Sequence, residues 1–89
     1  MLKLLVVEDH ALVREGLLAT LKNLGAQTRT FGVPDANAAI GVLESEDIDM
    51  MILDLMLPGT KGQTFLPLVR RRFPTVPVVI LSALDDADT

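Results

Sequence analysis

The chain has no cysteine, tryptophan or tyrosine, and only three phenylalanines among its 89 residues. Without thiols, disulfides and thiolate metal sites are excluded. With so few aromatics, a composition that is 49% apolar must build an aliphatic core. Positive charge is also scarce: eight Lys and Arg against twelve Asp and Glu leave a net charge of −4, which argues against a general nucleic-acid or membrane-surface binder. No apolar run approaches the ~18 residues of a membrane span. Leu4 to Val7 is too short for a signal peptide, and Glu8-Asp9 follow too soon. These absences predict one small domain over 1–89 with no membrane partner, expected in the cytoplasm.

The most informative stretch is Asp49-Met-Met-Ile-Leu-Asp-Leu-Met-Leu-Pro-Gly-Thr-Lys-Gly62. Met50 to Leu53 form an uninterrupted apolar run, as in a strand buried on both faces of a parallel sheet. Pro58-Gly59 reads as a turn. Asp54 therefore stands where a buried strand gives way to a loop, and ligands of open α/β sheets bind at the carboxyl ends of strands.

Taken in order, residues 2–7 read as a first buried strand ending at Glu8-Asp9-His10. Val13, Leu17, Leu21 and Leu24 recur at helical spacing ahead of Gly25, predicting a helix over about 11–24. A Thr-rich segment, 27–31, suits a more exposed strand. Pro34 fits as the first residue of a second helix, whose face is Ala36, Ala39, Ile40 and Leu43. Glu44, Glu46 and Asp47 crowd the end of that helix, where acidic charge is mildly unfavourable. The central strand over about 49–54 follows. A third helix is expected over roughly 63–73 with Phe65, Val69 and Phe73 on one face; Pro67 requires either a late start after Thr64 as N-cap, or a kink. Val78 to Leu81 is a fourth strand, closing at Ser82. Alternating strands and helices imply a parallel sheet with right-handed crossovers.

Three strand ends thus carry polar groups: Glu8-Asp9, Asp54 and Ser82. Carboxylates brought together repel one another unless a cation is present, and hard oxygen ligands select Mg²⁺. A carboxylate can itself attack a phosphoryl group, so the chemistry points to phosphoryl transfer onto Asp54. Plainer readings exist for each residue. Asp54 could form a turn, Glu8-Asp9 could complement a helix N-terminus, and Ser82 could simply end a strand. The metal and phosphoryl reading is preferred because all three occur at once. His10 is read as a helix-start residue rather than a ligand, and Arg70-Arg71-Arg72 as a complement to a helix C-terminus rather than a nucleic-acid patch.

Glu8-Asp9, the run from Asp54 to Gly59 and Leu81-Ser82-Ala83, in this order and spacing, resemble the receiver domain of bacterial two-component response regulators. The opening from Val7 to Gly16 is most similar to receivers of the LuxR/NarL type, which carry a helix-turn-helix output domain. The resemblance spans the whole chain. It implies a flavodoxin-like doubly wound sheet, of which this chain holds strand order 2-1-3-4, and phosphorylation by a partner histidine kinase. By residue, it implies Asp54 as phosphoacceptor, Asp9 as direct Mg²⁺ ligand, Glu8 acting through water, the Met56 backbone carbonyl as a further ligand, and Ser82 as the switch hydroxyl. Such a domain is a phosphoacceptor that assists its own phosphorylation and dephosphorylation, not an enzyme acting on other substrates. It meets DNA only through an output domain absent here.

The family also has a fifth strand and further helices, about 35 residues by ordinary element lengths. No Lys lies beyond Lys61 and no aromatic beyond Phe73, so the expectation is a C-terminally truncated receiver with an impaired output switch. Its fourth strand would then be an apolar sheet edge, and apolar residues of the first and third strands would lose their cover, predicting self-association through the fourth strand. The alternative is an interaction or oligomerisation module with a vestigial acidic pocket. A haloacid-dehalogenase-type phosphatase is disfavoured because Asp54-Leu55-Met56 lacks the second Asp of Asp-x-Asp. A Rossmann nucleotide site is disfavoured because the first strand lacks a glycine-rich turn after it.

Overall fold

A computed structural model describes residues 1–25, 27–53 and 62–80, with side chains 62–64 excepted. The order is β1 (Leu2–Val7), α1 (Ala11–Lys22), β2 (Thr28–Val33), α2 (Ala36–Ser45), β3 (Met50–Leu53), α3 (Gly62–Arg72) and β4 (Val78–Ile80). The four strands are parallel in the order β2-β1-β3-β4. This is the doubly wound, flavodoxin-like arrangement expected from the sequence.

Strand alternation divides the core. Leu5, Val7, Met51 and Leu53 face one side and cluster with Ala36, Ala39 and Leu43 of α2 and Phe65 and Val69 of α3. Leu4, Val6 and Ile52 are buried but lie outside that cluster, as the period of two requires. The face read from sequence for α2 holds, with Ile40 packed at its margin. So does that of α3, with Phe73 half-buried just past its end.

Three local expectations change. Pro34 is not the first residue of α2. Asp35 is its N-cap, with Oδ1 accepting from the Ala38 N–H at 2.9 Å, which satisfies an amide that Pro34 could not. Nor does α3 start late: it begins at Gly62 and carries Pro67 inside, on its exposed side. The face of α1 is rotated from the one expected. Val13 and Leu24 are exposed, while Arg14, Leu17, Leu18 and Leu21 are half-buried. The reason lies in β2: a Cβ at Gly32 would sit 2.7 Å from Leu18 Cδ1 and 3.2 Å from the Arg14 stem. The missing side chain admits these two residues to the sheet.

The expected exposure of the inner strands is also corrected. Residues Leu4–Val7 are at most 1% exposed and Met51–Leu53 at most 7%. Open apolar area falls instead on α1 (Leu12, Val13) and on Val79 of β4, which is 42% exposed. The crowded acids near the end of α2 find cations: Glu44 pairs with Arg72 at 2.5 Å and Glu46 with Lys3 at 3.2 Å.

Candidate functional site

The site is built where β1 ends. Val7 is paired with Val33 of β2 and with Leu53 of β3, and the Glu8 N–H continues the ladder to the Val33 carbonyl at 3.0 Å. Glu8 is thereby drawn under the sheet edge and is only 4% exposed. Its carboxylate Oε2 accepts the His10 backbone N–H at 3.1 Å, and His10 Nδ1 lies 3.2 Å from the same oxygen. Its carbonyl accepts from Arg14 Nη1 at 2.9 Å.

Asp9 differs. Its Oδ1 is buried and accepts no hydrogen bond from the described residues, although His10 Nδ1 stands 3.4 Å away. A carboxylate oxygen taken from water without a donor is costly and calls for a compensating partner. An oxygen-seeking cation is such a partner, so the donor set fits Mg²⁺. Ligand atoms of Glu8, Asp9 and His10 all lie within 4.8 Å of one another.

Glu8 and Asp9 stand just past the end of β1, where the sequence reading placed them. His10 is the N-cap of α1, as read, yet its ring also joins the carboxylates, which the sequence reading set aside. Arg14 was missed: it was counted as part of a helix, and only the gap at Gly32 lets its guanidinium reach back to Glu8. Asp54, Met56 and Ser82 lie outside the described residues. Leu53 and Ile80 are paired in register; Asp54 directly follows the former in sequence, and Ser82 comes two residues after the latter.

Comparison with known proteins agrees with this geometry. The response regulator receiver domain model matches residues 4–89, and the chain belongs to that family. Among curated relatives, the glycerol metabolism activator of Pseudomonas putida is 33% identical over 87 residues, covering 97% of this chain and 39% of its own length. Others are transcriptional regulators, and one is a protein-glutamate methylesterase. The chain spans well under half the length of these relatives. Among solved structures, the MaeR response regulator bound to beryllium trifluoride superposes with a TM-score of 0.84 at 29% identity, over 97% of this chain and 70% of that one. TrrA of Thermotoga maritima, solved with Mg²⁺ and beryllium fluoride, gives 0.82 at 25% identity, over 90% and 68%. In complex with the histidine kinase ThkA it gives 0.85 at 25%, over 100% and 75%. Among the described residues no helix is long and apolar enough to cross a membrane.

Proposed function

We propose that the chain takes a phosphoryl group from a histidine kinase onto Asp54, with Mg²⁺ held by Asp9 and Asp54 directly, by the Met56 carbonyl, and by Glu8 through water. The observation that carries this reading is the buried, donorless Oδ1 of Asp9 beside a buried Glu8, at the end of a strand whose neighbour runs directly into Asp54. In the transfer, an Asp54 oxygen attacks phosphorus, the P–N bond to the kinase histidine breaks, and the electron pair leaves with the imidazole. Mg²⁺, when bound, supplies charge that offsets the negative phosphoryl oxygens. Glu8 and Asp9 supply the oxygens that hold it; His10 and Arg14 hold Glu8 in place. Ser82 is assigned as the switch hydroxyl.

The role is that of a phosphoacceptor rather than an enzyme with a separate substrate, and DNA would be met only through an output domain. The segment from Val7 to Gly16 supports an output of the LuxR/NarL type. Self-association along β4 is the further partner we assign, because β4 is an edge of the described sheet and Val79 on it is exposed. Sedimentation as a monodisperse monomer at tens of micromolar would remove that assignment. The central test is labelling with acetyl phosphate and Mg²⁺: the acid-labile phosphate should map to Asp54 and vanish in Asp54→Asn. A label found elsewhere would overturn the reading.

A further inference from the structure

Arg14 reaches the end of β1 from α1 and meets it at the backbone, where its Nη1 donates to the Glu8 carbonyl at 2.9 Å. That carbonyl and the Asp9 N–H belong to one planar peptide unit. Whatever fixes the carbonyl therefore also fixes the plane from which the Asp9 side chain departs. We propose that Arg14 is a positioning residue for the cation pocket. Through the Glu8–Asp9 peptide it sets the place of the Asp9 carboxylate, and Gly32 of β2 is the socket that lets it do so. The inference rests on the reading of Asp9 as a direct Mg²⁺ ligand, and adds to it the residues that aim that ligand.

Three observations carry it. The Glu8 N–H bonds the Val33 carbonyl at 3.0 Å, but β2 ends at Val33; past that point Arg14 is the donor that meets the Glu8 backbone. The Arg14 stem also has a defined path. It is half-buried, and a Cβ on Gly32 would stand 3.2 Å from both its Cγ and its Cδ, so the missing side chain is what gives the stem its room. Finally, the buried Asp9 Oδ1 accepts no hydrogen bond from the described residues, so among them its place is set from the backbone side. A guanidinium here can act in two ways, with opposite signs. As a charge it repels Mg²⁺, and removing it would strengthen binding. As a positioning group it orders a ligand in advance, and removing it weakens binding. The charge acts through partly solvated space and is screened, whereas the hydrogen bond acts at contact. Position should win.

The test is calorimetric titration of the full chain with Mg²⁺, with the Asp9 backbone amide followed by NMR. Arg14→Met keeps most of the stem and removes the donor and the charge. It should lower Mg²⁺ affinity about tenfold and shift the Asp9 amide resonance before any metal is added. Arg14→Lys, which keeps a donor and the charge, should recover most of both. Gly32→Ala should lower the affinity as well. Combined with Arg14→Met its loss should not add, because both act through one hydrogen bond. Unchanged or tighter Mg²⁺ binding in Arg14→Met, with binding still lost in Asp9→Ala, would overturn the inference and leave the receiver reading standing. So would a loss that tracks a fall in urea stability while the Asp9 amide stays unmoved, the mark of a merely structural role. Additive losses would remove Gly32 from the assignment. Mg²⁺ binding indifferent to Asp9→Ala would count against the cation pocket itself, and the inference would fall with it.

Discussion

The two ends of the sheet treat their carboxylates in opposite ways. At the end where β3 begins, Asp49 is exposed, yet its Oδ2 accepts the Lys3 backbone N–H at 2.7 Å, while its own N–H reaches the Lys3 carbonyl at 2.8 Å. The Lys3 ammonium closes on Glu46 at 3.2 Å. At the far end Glu8 and Asp9 are drawn inward, and an Asp9 oxygen is buried with no hydrogen-bond donor among the described residues. Solvation energetics alone would favour the reverse, with the paired carboxylates inside and the donorless oxygen in water. The lower end is arranged for stability, and the upper end is where the proposed cation would sit. An acidic residue is informative not because it is buried, but because it is buried and left without a donor.

The largest expected contrast concerns the two aspartates that flank β3. Asp54→Asn should remove all acid-labile phosphate after treatment with acetyl phosphate and Mg²⁺; Asp49→Asn should leave labelling intact. Labelling lost in both would mean that the lower end also serves the chemistry.

Mg²⁺ affinity sharpens the comparison next. Asp9→Ala should weaken binding by at least about tenfold, and Glu8→Gln by less, because only Asp9 is assigned as a direct ligand. Asp49→Ala should have no effect. Equal losses for Asp9→Ala and Glu8→Gln in calorimetric titration would abolish the distinction between a direct and a water-mediated role.

Stability should move the other way. Asp49→Ala removes an acceptor that ties β1 to β3, and should cost about 1 kcal/mol in urea denaturation. Asp9→Ala, measured without Mg²⁺, should cost nothing or add up to about 1 kcal/mol, since it removes a carboxylate that lacks a donor and stands beside another. A clear loss on Asp9→Ala would mean that the residue has a structural donor after all.

How far these contrasts could be read from sequence depends on the range of the physics involved. The strands were legible because runs such as Leu4-Leu5-Val6-Val7 and Met50-Met51-Ile52-Leu53 admit few other environments. The place of Asp9 just past β1 was legible because the run from Leu4 to Val7 fixes where that strand ends; its role as a ligand stays a proposal. Arg14 and the orientation of α1 were not, since they depend on the side chain that Gly32 lacks on another element. The capping of α2 was within reach: Asp35 sits three residues before Ala38, and Pro34 drew the boundary two residues early. The pairing of Glu44 and Glu46 with Arg72 and Lys3 spans 28 and 43 residues, and no local pattern announces it. Asp54, Met56 and Ser82 stay where the sequence argument left them, as proposals.

The smallest effect belongs to the Glu44–Arg72 pair, and it tests whether pairing at the lower end matters by charge or by packing. Both side chains are about half exposed, at 52% and 45%, so solvent screens their attraction and the pair should be worth no more than about 1 kcal/mol. Glu44→Gln should therefore cost a few tenths of a kcal/mol at low salt and almost nothing in 1 M salt, where the screening length shrinks to about 3 Å. Arg72→Ala removes more than a charge. The guanidinium lies over the Phe73 ring, 5.3 Å from its centroid, a contact that adds cation–π attraction and packing to the charge. Its cost should exceed that of Glu44→Gln, by about 0.5–1 kcal/mol, and that excess should persist at high salt. If both substitutions cost the same and both costs disappear with salt, the lower end is held by charge alone and the packing argument for Arg72 fails.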